Sequence, residues 1–155
     1  MAFDGRLFEV LSTTYGGYKV TGEKYIDYEK YKVTRNIQDL DSYRDGNGEL
    51  HRTALSRVPI KIELETRPGL SNKDMEEFFG NIRKRFTVPK ERKCSITYYD
   101  PEYDKYRQAE NCYMPDPAFE IRNIEYDKEK KTYKIFYKSV RFAFIGYGDK
   151  DNAED

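Results

Sequence analysis

One stretch decides the fold class of this chain: Ser71-Asn72-Lys73-Asp74-Met75-Glu76-Glu77-Phe78-Phe79-Gly80-Asn81-Ile82-Arg83-Lys84-Arg85-Phe86. Ser71 is a favourable N-cap, and Asp74 three residues later approximates a capping box. Acidic side chains lie in the first turns and basic ones in the last, as the helix dipole favours. The apolar residues recur at steps of three and four: Met75, Phe78, Phe79, Ile82 and Phe86. The pattern predicts an amphipathic helix over about 71–86 that packs on a sheet.

Strand patterns lie on both sides of this helix. Residues 54–66 alternate between apolar and polar with period two, and residues 6–11 form a shorter apolar run. After the helix, residues 92–99 and 105–114 predict a hairpin, and residues 119–126 and 132–147 predict two further strands, with a bulge near Lys138. About seven or eight strands and one helix make an α+β fold. We expect a mostly antiparallel β-sandwich or a curled, barrel-like sheet.

The region at about 18–35 is charged and rich in tyrosine. Tyr25, Tyr28 and Tyr31 are three residues apart, which would fit a helix from Glu23 to Tyr31, but the β-favouring composition indicates an extended conformation. We therefore expect a single β-rich domain over residues 1–147 with an extended charged insertion at about 18–35. Residues 148–155 are polar and acidic, and we expect a flexible tail there.

Residues 45–48 carry two turn dipeptides in succession, Asp-Gly and Asn-Gly, which predict a hairpin tip or a longer exposed loop. A calcium loop is the alternative, because oxygen-bearing side chains cluster nearby: Asp39, Asp41, Asp45 and Asn47. The EF-hand spacing fails, since a loop beginning at Asp41 has Tyr43 in its third position and Arg52 in its twelfth. The sequence thus predicts no metal site at this loop.

The chain has two cysteines and one histidine. Cys94 and Cys112 fall in the two partner strands of one predicted hairpin, where a bridge is possible and two buried free thiols are favoured. His51 has no second histidine or nearby cysteine to share a metal with, so we interpret it as a surface or interface residue.

Composition excludes several classes of protein. With 28 basic and 28 acidic side chains the net charge is zero, which disfavours a dedicated nucleic-acid binder. Fifteen tyrosines and nine phenylalanines disfavour disorder. No run of about 18 apolar residues exists to span a membrane, and residues 1–10 lack the apolar core of a signal peptide.

Motifs that carry enzyme chemistry or bind cofactors are missing from the sequence, among them the P-loop, GxGxxG, HExxH, GxSxG and CxxC. We therefore predict no catalytic residues, no cofactor and no enzymatic activity. The tyrosines suit protein interfaces, because they combine a large contact area with a polar tip. A carbohydrate-binding β-module with exposed tyrosines is the alternative interpretation.

The middle of the chain resembles small tail proteins of phages and prophages of Gram-positive hosts. In those proteins an R-D-G-x-G-x-L-x-R type of segment, here residues 44–52, precedes an alternating strand, here residues 56–64. A capped helix follows, and then a hydrophobic-Thr-Tyr-Tyr-Asp-Pro hairpin, here residues 96–101. The resemblance covers roughly residues 36–147, and the charged segment at 18–33 has no counterpart in it.

This resemblance implies a non-enzymatic structural subunit of a virion tail, made in the host cytoplasm. Tail-tube and distal-tail subunits commonly form hexameric rings, whose partners are copies of themselves and other tail proteins. DNA would then be cargo in the lumen rather than a specific ligand. Assembly would also bury edge strands. The candidate intersubunit contacts are Tyr43, Arg44, Asp45, Asn47, His51 and Arg52 in the loop, and Tyr25, Tyr28 and Tyr31 in the charged segment.

Overall fold

The computed structural model describes residues 3–35, 39–54 and 59–148. Within them lie one α-helix, eleven strands and two single-turn 3-10 helices at Tyr28–Lys30 and Pro89–Glu91. The helix is α1 (Asn72–Arg83), and the strands are β1 (Arg6–Val10), β2 (Tyr18–Thr21), β3 (Lys32–Arg35), β4 (Asp39–Arg44), β5 (Leu50–Ala54), β6 (Ile60–Glu65), β7 (Lys93–Asp100), β8 (Lys105–Tyr113), β9 (Ile121–Asp127), β10 (Thr132–Tyr137) and β11 (Arg141–Gly146).

Seven strands form one antiparallel sheet in the order β2-β1-β7-β8-β11-β6-β3. Two further antiparallel pairs, β4–β5 and β9–β10, form separate two-stranded sheets. The predicted α+β class with a mostly antiparallel sheet is confirmed, and the sheet is not closed into a barrel.

The large sheet curls strongly although it stays open. Three strands separate β3 from β7 in the sheet order. Nevertheless the hydroxyl of Tyr31, just before β3, donates to the backbone carbonyl of Tyr99 in β7 at 2.5 Å. An edge of the sheet has therefore turned back toward its middle, and side chains rather than a strand ladder bridge the gap.

The core lies between this sheet and α1. All five residues of the predicted apolar stripe are buried, including Phe86 just beyond the helix. The helix is shorter than the predicted 71–86, because Lys84 is its C-cap and turn-type hydrogen bonds take over at Arg85 and Phe86. The rings of Phe78 and Phe79 pack edge-on against Phe142 of β11, with centroids 5.6 and 5.4 Å away.

Ser71 caps the helix as predicted. Its Oγ accepts a hydrogen bond from the Asp74 backbone N–H, and the Asp74 carboxylate accepts one from the Ser71 backbone N–H. This reciprocal pair satisfies two of the donors that a helix N-terminus leaves without partners.

We expect Ser71→Ala to lower the free energy of unfolding by about 1 kcal/mol, because one helix N–H loses its acceptor. Urea denaturation followed by circular dichroism measures the change. Ser139→Ala is the control at an exposed serine, with an expected change within about 0.5 kcal/mol. Equal midpoints for the two variants would contradict a stabilising role for the cap.

The predicted hairpin over residues 92–114 is present as β7–β8, and it pairs Cys94 directly with Cys112. Both side chains are fully buried free thiols, with their Sγ atoms 3.6 Å apart. The favoured interpretation of two buried thiols agrees with this arrangement.

The predicted single strand over 132–147 is wrong. Residues 132–137 form β10 in a small sheet, and residues 141–146 form β11 in the large one. The shift in apolar phase near Lys138 therefore marks a change of sheet rather than a bulge. The predicted tail, 148–155, lies outside the described residues from position 149 onward, and so do residues 55–58 of the predicted long strand.

Candidate functional site

The residues predicted to make intersubunit contacts fall in two places. Six of them lie on the 39–54 hairpin, which consists of β4, β5 and the turn between them. Tyr25, Tyr28 and Tyr31 lie between β2 and β3, at the margin of the large sheet.

The 39–54 hairpin displays its contact candidates on the surface. Tyr43 and His51 are directly opposite in the strand register, and their rings stack with centroids 4.9 Å apart. Asp45 is half-buried, and the other candidates are exposed: Tyr43, Arg44, Asn47, His51 and Arg52. Of the two structures predicted for the turn dipeptides at 45–48, a hairpin tip or a longer exposed loop, the hairpin tip is confirmed by the pairing of β4 with β5.

Asp45 organises the tip of this hairpin. Its Oδ1 accepts hydrogen bonds from the backbone N–H groups of Asn47 and Glu49, at 2.9 and 3.1 Å. Its Oδ2 lies 3.0 Å from Nε2 of His51. The hydrogen bond with His51, and then those from the two backbone groups, hold the pKa of the Asp45 carboxyl below its usual value. The carboxyl groups of Asp45 and Glu49 and the imidazole of His51 can approach a common ion.

The three tyrosines of the charged segment serve mainly to attach that segment to the fold. Tyr25 is only 7% exposed, and its ring lies 5.0 Å from that of Phe78 in the core. Within the single chain Tyr25 therefore belongs to the core rather than to the exposed surface, because the helix covers the face on which it lies. Burial raises the pKa of the Tyr31 hydroxyl, which donates a hydrogen bond to the backbone carbonyl of Tyr99. Tyr28 is partly exposed, and its ring packs closely over Gly22.

A second surface was not predicted from the sequence. The 121–137 hairpin, made of β9, β10 and the turn between them, lies outside the large sheet, and every residue of β9 is exposed. Tyr126 is opposite Tyr133 with ring centroids 4.8 Å apart, and Ile124 is opposite Ile135. Tyr133 is 68% exposed and Ile124 is 52% exposed. These four side chains form one apolar patch on one face of the hairpin, since residues two apart in a strand share a face.

Hydrogen bonds attach the base of the 121–137 hairpin to the helix. The backbone N–H of Ile135 donates to the side chain of Asn72 at 3.2 Å, and Phe136 forms a bridge with Ser71. The alternation of Ile124, Tyr126, Tyr133 and Ile135 was visible in the sequence. This alternation did not distinguish an exposed hairpin from a strand of the core, because apolar and polar residues alternate with period two in both.

Within the described residues, no helix combines the length and the apolar character needed to cross a membrane. Residues 1–147 match the model of DUF6711, a family of unknown function. No curated protein and no solved structure matches the chain.

Proposed function

The chain belongs to the DUF6711 family, and we propose that it is a structural subunit of a phage tail or phage-derived tail particle that assembles into a ring or tube. One observation carries this proposal: two hairpins lie outside the large sheet, and one of them exposes a patch of large apolar side chains. An isolated two-stranded hairpin is marginally stable in water. Contact with a neighbouring copy would stabilise both hairpins.

The open edges of the large sheet support the same proposal. Among the described residues, strands β2 and β3 each have a neighbour on one side only. Unpaired strand edges are templates for pairing with another chain, which a regular assembly can use. The zero net charge also suits self-association, because copies of the chain meet without net repulsion. The resemblance of residues 36–147 to small tail proteins is the reason for proposing that the assembly is a tail particle.

In this proposal the 39–54 hairpin reaches an adjacent subunit or ring through Tyr43 and its exposed neighbours. The 121–137 hairpin buries its apolar patch on another copy. A hexameric ring, bound to other tail proteins in the virion, is the expected form.

The proposal is tested with the double variant Ile124→Glu, Tyr133→Glu. The wild-type chain is expected to form rings or tubes as its concentration is raised, and the variant is expected to need at least about tenfold more protein. Each buried apolar side chain contributes about 1.5–3 kcal/mol, and a buried carboxylate adds a desolvation cost. Sedimentation velocity and negative-stain electron microscopy measure the threshold and the shape of the assembly.

Tyr15→Glu is the matched control, since Tyr15 is 56% exposed and lies outside both hairpins. Assembly of this control at the wild-type threshold would localise the effect to the apolar patch. Deletion of residues 43–50 tests the 39–54 hairpin, and it is likewise expected to raise the protein concentration at which the chain assembles. A wild-type chain that stays monomeric at all concentrations would overturn the proposal. Glycan binding by such a monomer would favour the carbohydrate-binding alternative.

A further inference from the structure

We propose that Asp45, Glu49 and His51 form a binding site for a divalent first-row transition metal ion at the tip of the 39–54 hairpin. The ligand atoms of these three residues all lie within 4.8 Å of one another. The inference goes beyond the proposed role in assembly, because a single chain contains all three ligands.

The turn brings the three residues together. The Gly48 N–H donates to the Asp45 carbonyl at 2.9 Å, and the Asp45 N–H donates to the Glu49 carbonyl at 3.0 Å. Gly48 adopts a positive φ of 82°, which glycine allows at little cost. As a result Asp45, just after β4, lies beside Glu49, just before β5, and beside His51 within β5.

Two of the three ligands are held in place before any ion arrives. One oxygen of Asp45 is fixed by two backbone N–H groups, which leaves the other directed at His51. The ring of Tyr43 stacks on the imidazole with an interplanar angle of 12°. Ligands held by neighbouring groups lose less freedom when a metal binds, and such support raises affinity.

The shortest separation in the cluster is close to that between two ligands of a small ion, and all three ligand atoms lie within 4.8 Å of one another. Zinc binds imidazole nitrogen and carboxylate oxygen at about 2.0–2.2 Å in a tetrahedral arrangement, so neighbouring ligand atoms lie about 3.4 Å apart. The separation between Nε2 of His51 and Oδ2 of Asp45 is 3.0 Å. A hydrogen bond accounts for that contact alone, whereas the Glu49 carboxylate supplies a third metal-binding group and a second negative charge nearby. A divalent cation would compensate both carboxylates.

The donor set selects the class of metal. Imidazole suits zinc, copper, iron and nickel, whereas calcium and magnesium favour sites made entirely of oxygen. Three protein ligands at an exposed tip leave the remaining positions to water. This differs from the calcium loop considered from the sequence, because Glu49 and His51 take the place of Asp39 and Asp41.

The test is isothermal titration of Zn²⁺ into the tag-free full chain, stripped of metal and kept dilute so that it is monomeric. One Zn²⁺ per chain is expected. His51→Ala and Glu49→Gln are each expected to raise the dissociation constant at least about tenfold, since loss of a supporting partner alone typically costs 10–100-fold. Glu129→Gln, at the exposed tip of the 121–137 hairpin, is the control and is expected to bind as the wild type does.

Circular dichroism checks that the variants keep the fold, which surface substitutions at 49 and 51 are expected to preserve. The absence of Zn²⁺ binding by the wild type would overturn the inference. So would unchanged binding by His51→Ala and Glu49→Gln, or tighter binding of Ca²⁺ than of Zn²⁺. Because the measurement uses the dilute monomer, none of these outcomes depends on whether the chain assembles.

Discussion

Replacing Asp100 by asparagine is expected to lower the free energy of unfolding by about 3–5 kcal/mol. The Asp100 side chain is 1% exposed, at the end of β7. Its Oδ2 accepts hydrogen bonds from Arg107 in β8 and Arg35 in β3, each at 2.5 Å. Asparagine keeps the shape of the side chain and removes the negative charge that compensates these two guanidinium groups.

The position of this cluster explains the size of the effect. Arg35 belongs to an edge strand, and its bond to Asp100 helps to draw that edge back toward β7. The ring of Tyr103 lies 4.8 Å from the Arg107 guanidinium and 5.4 Å from that of Arg35, so it covers both cations. A buried charge that loses its counter-charge costs far more than an exposed one.

Glu102→Gln is the matched control for Asp100→Asn. Glu102 also pairs with Arg35, at 3.1 Å, but its side chain is 68% exposed. Exposed ion pairs contribute about 0–1 kcal/mol because water screens them. Urea denaturation of both variants should therefore give very different midpoints. Similar midpoints would show that burial at Asp100 does not decide the energetics.

The effect of Asp100→Asn should also depend on pH. Burial raises the pKa of Asp100, but the hydrogen bonds from Arg35 and Arg107 outweigh it, so the pKa in the folded chain lies below its usual value. A lowered pKa stabilises the fold above the pKa of the unfolded state, and this contribution is lost as the pH falls through the folded value. The difference in free energy of unfolding between the wild type and Asp100→Asn should thus be largest near neutral pH and should shrink below about pH 4.

Phe78→Ala is expected to lower the free energy of unfolding by about 3–5 kcal/mol. This is a large share of the total of about 5–15 kcal/mol that is typical of a folded domain. Phe78 is fully buried on the sheet-facing side of α1. Its ring lies 5.0 Å from those of Tyr25 and Phe79, and 5.6 Å from that of Phe142. Truncation would leave a cavity where the helix, the sheet and the 18–35 segment meet.

Phe3→Ala removes the same atoms at a position that is 42% exposed. Phe3→Ala is expected to lower the free energy of unfolding by only about 1–2 kcal/mol, because folding buries less apolar area at Phe3 than at Phe78. Thermal unfolding measured by differential scanning calorimetry compares the two variants. Equal losses would contradict the central position of Phe78 in the core.

Patterns within a few residues determined several features without the structure. The cap at Ser71 and the apolar stripe of α1 follow from helical periodicity, since i, i+3 and i+4 positions share a face. The hairpin that pairs Cys94 with Cys112 follows from two alternating runs around one turn. The hairpin tip at 45–48 follows from its turn dipeptides.

The candidate sites could be predicted only in part. The sequence indicated residues 43–52 as candidate contacts, but it did not indicate the apolar patch of the 121–137 hairpin. It also interpreted His51 without Glu49, because Glu49 and His51 become joint ligands only when the turn places Asp45 beside them. The sequence predicts Tyr25 as an intersubunit contact, whereas α1 covers it within the chain.

By itself, therefore, the sequence determined the α+β class, the helix and the main turns, because each depends on propensities and periodicities between near neighbours. Only the tertiary structure decided which strands leave the large sheet, and which tyrosines face inward. It also joined Arg35 to Asp100, 65 residues apart. The physical reason is that an alternating strand has the same pattern whether its apolar face meets the core or the solvent. What covers that face depends on chain segments far away in the sequence.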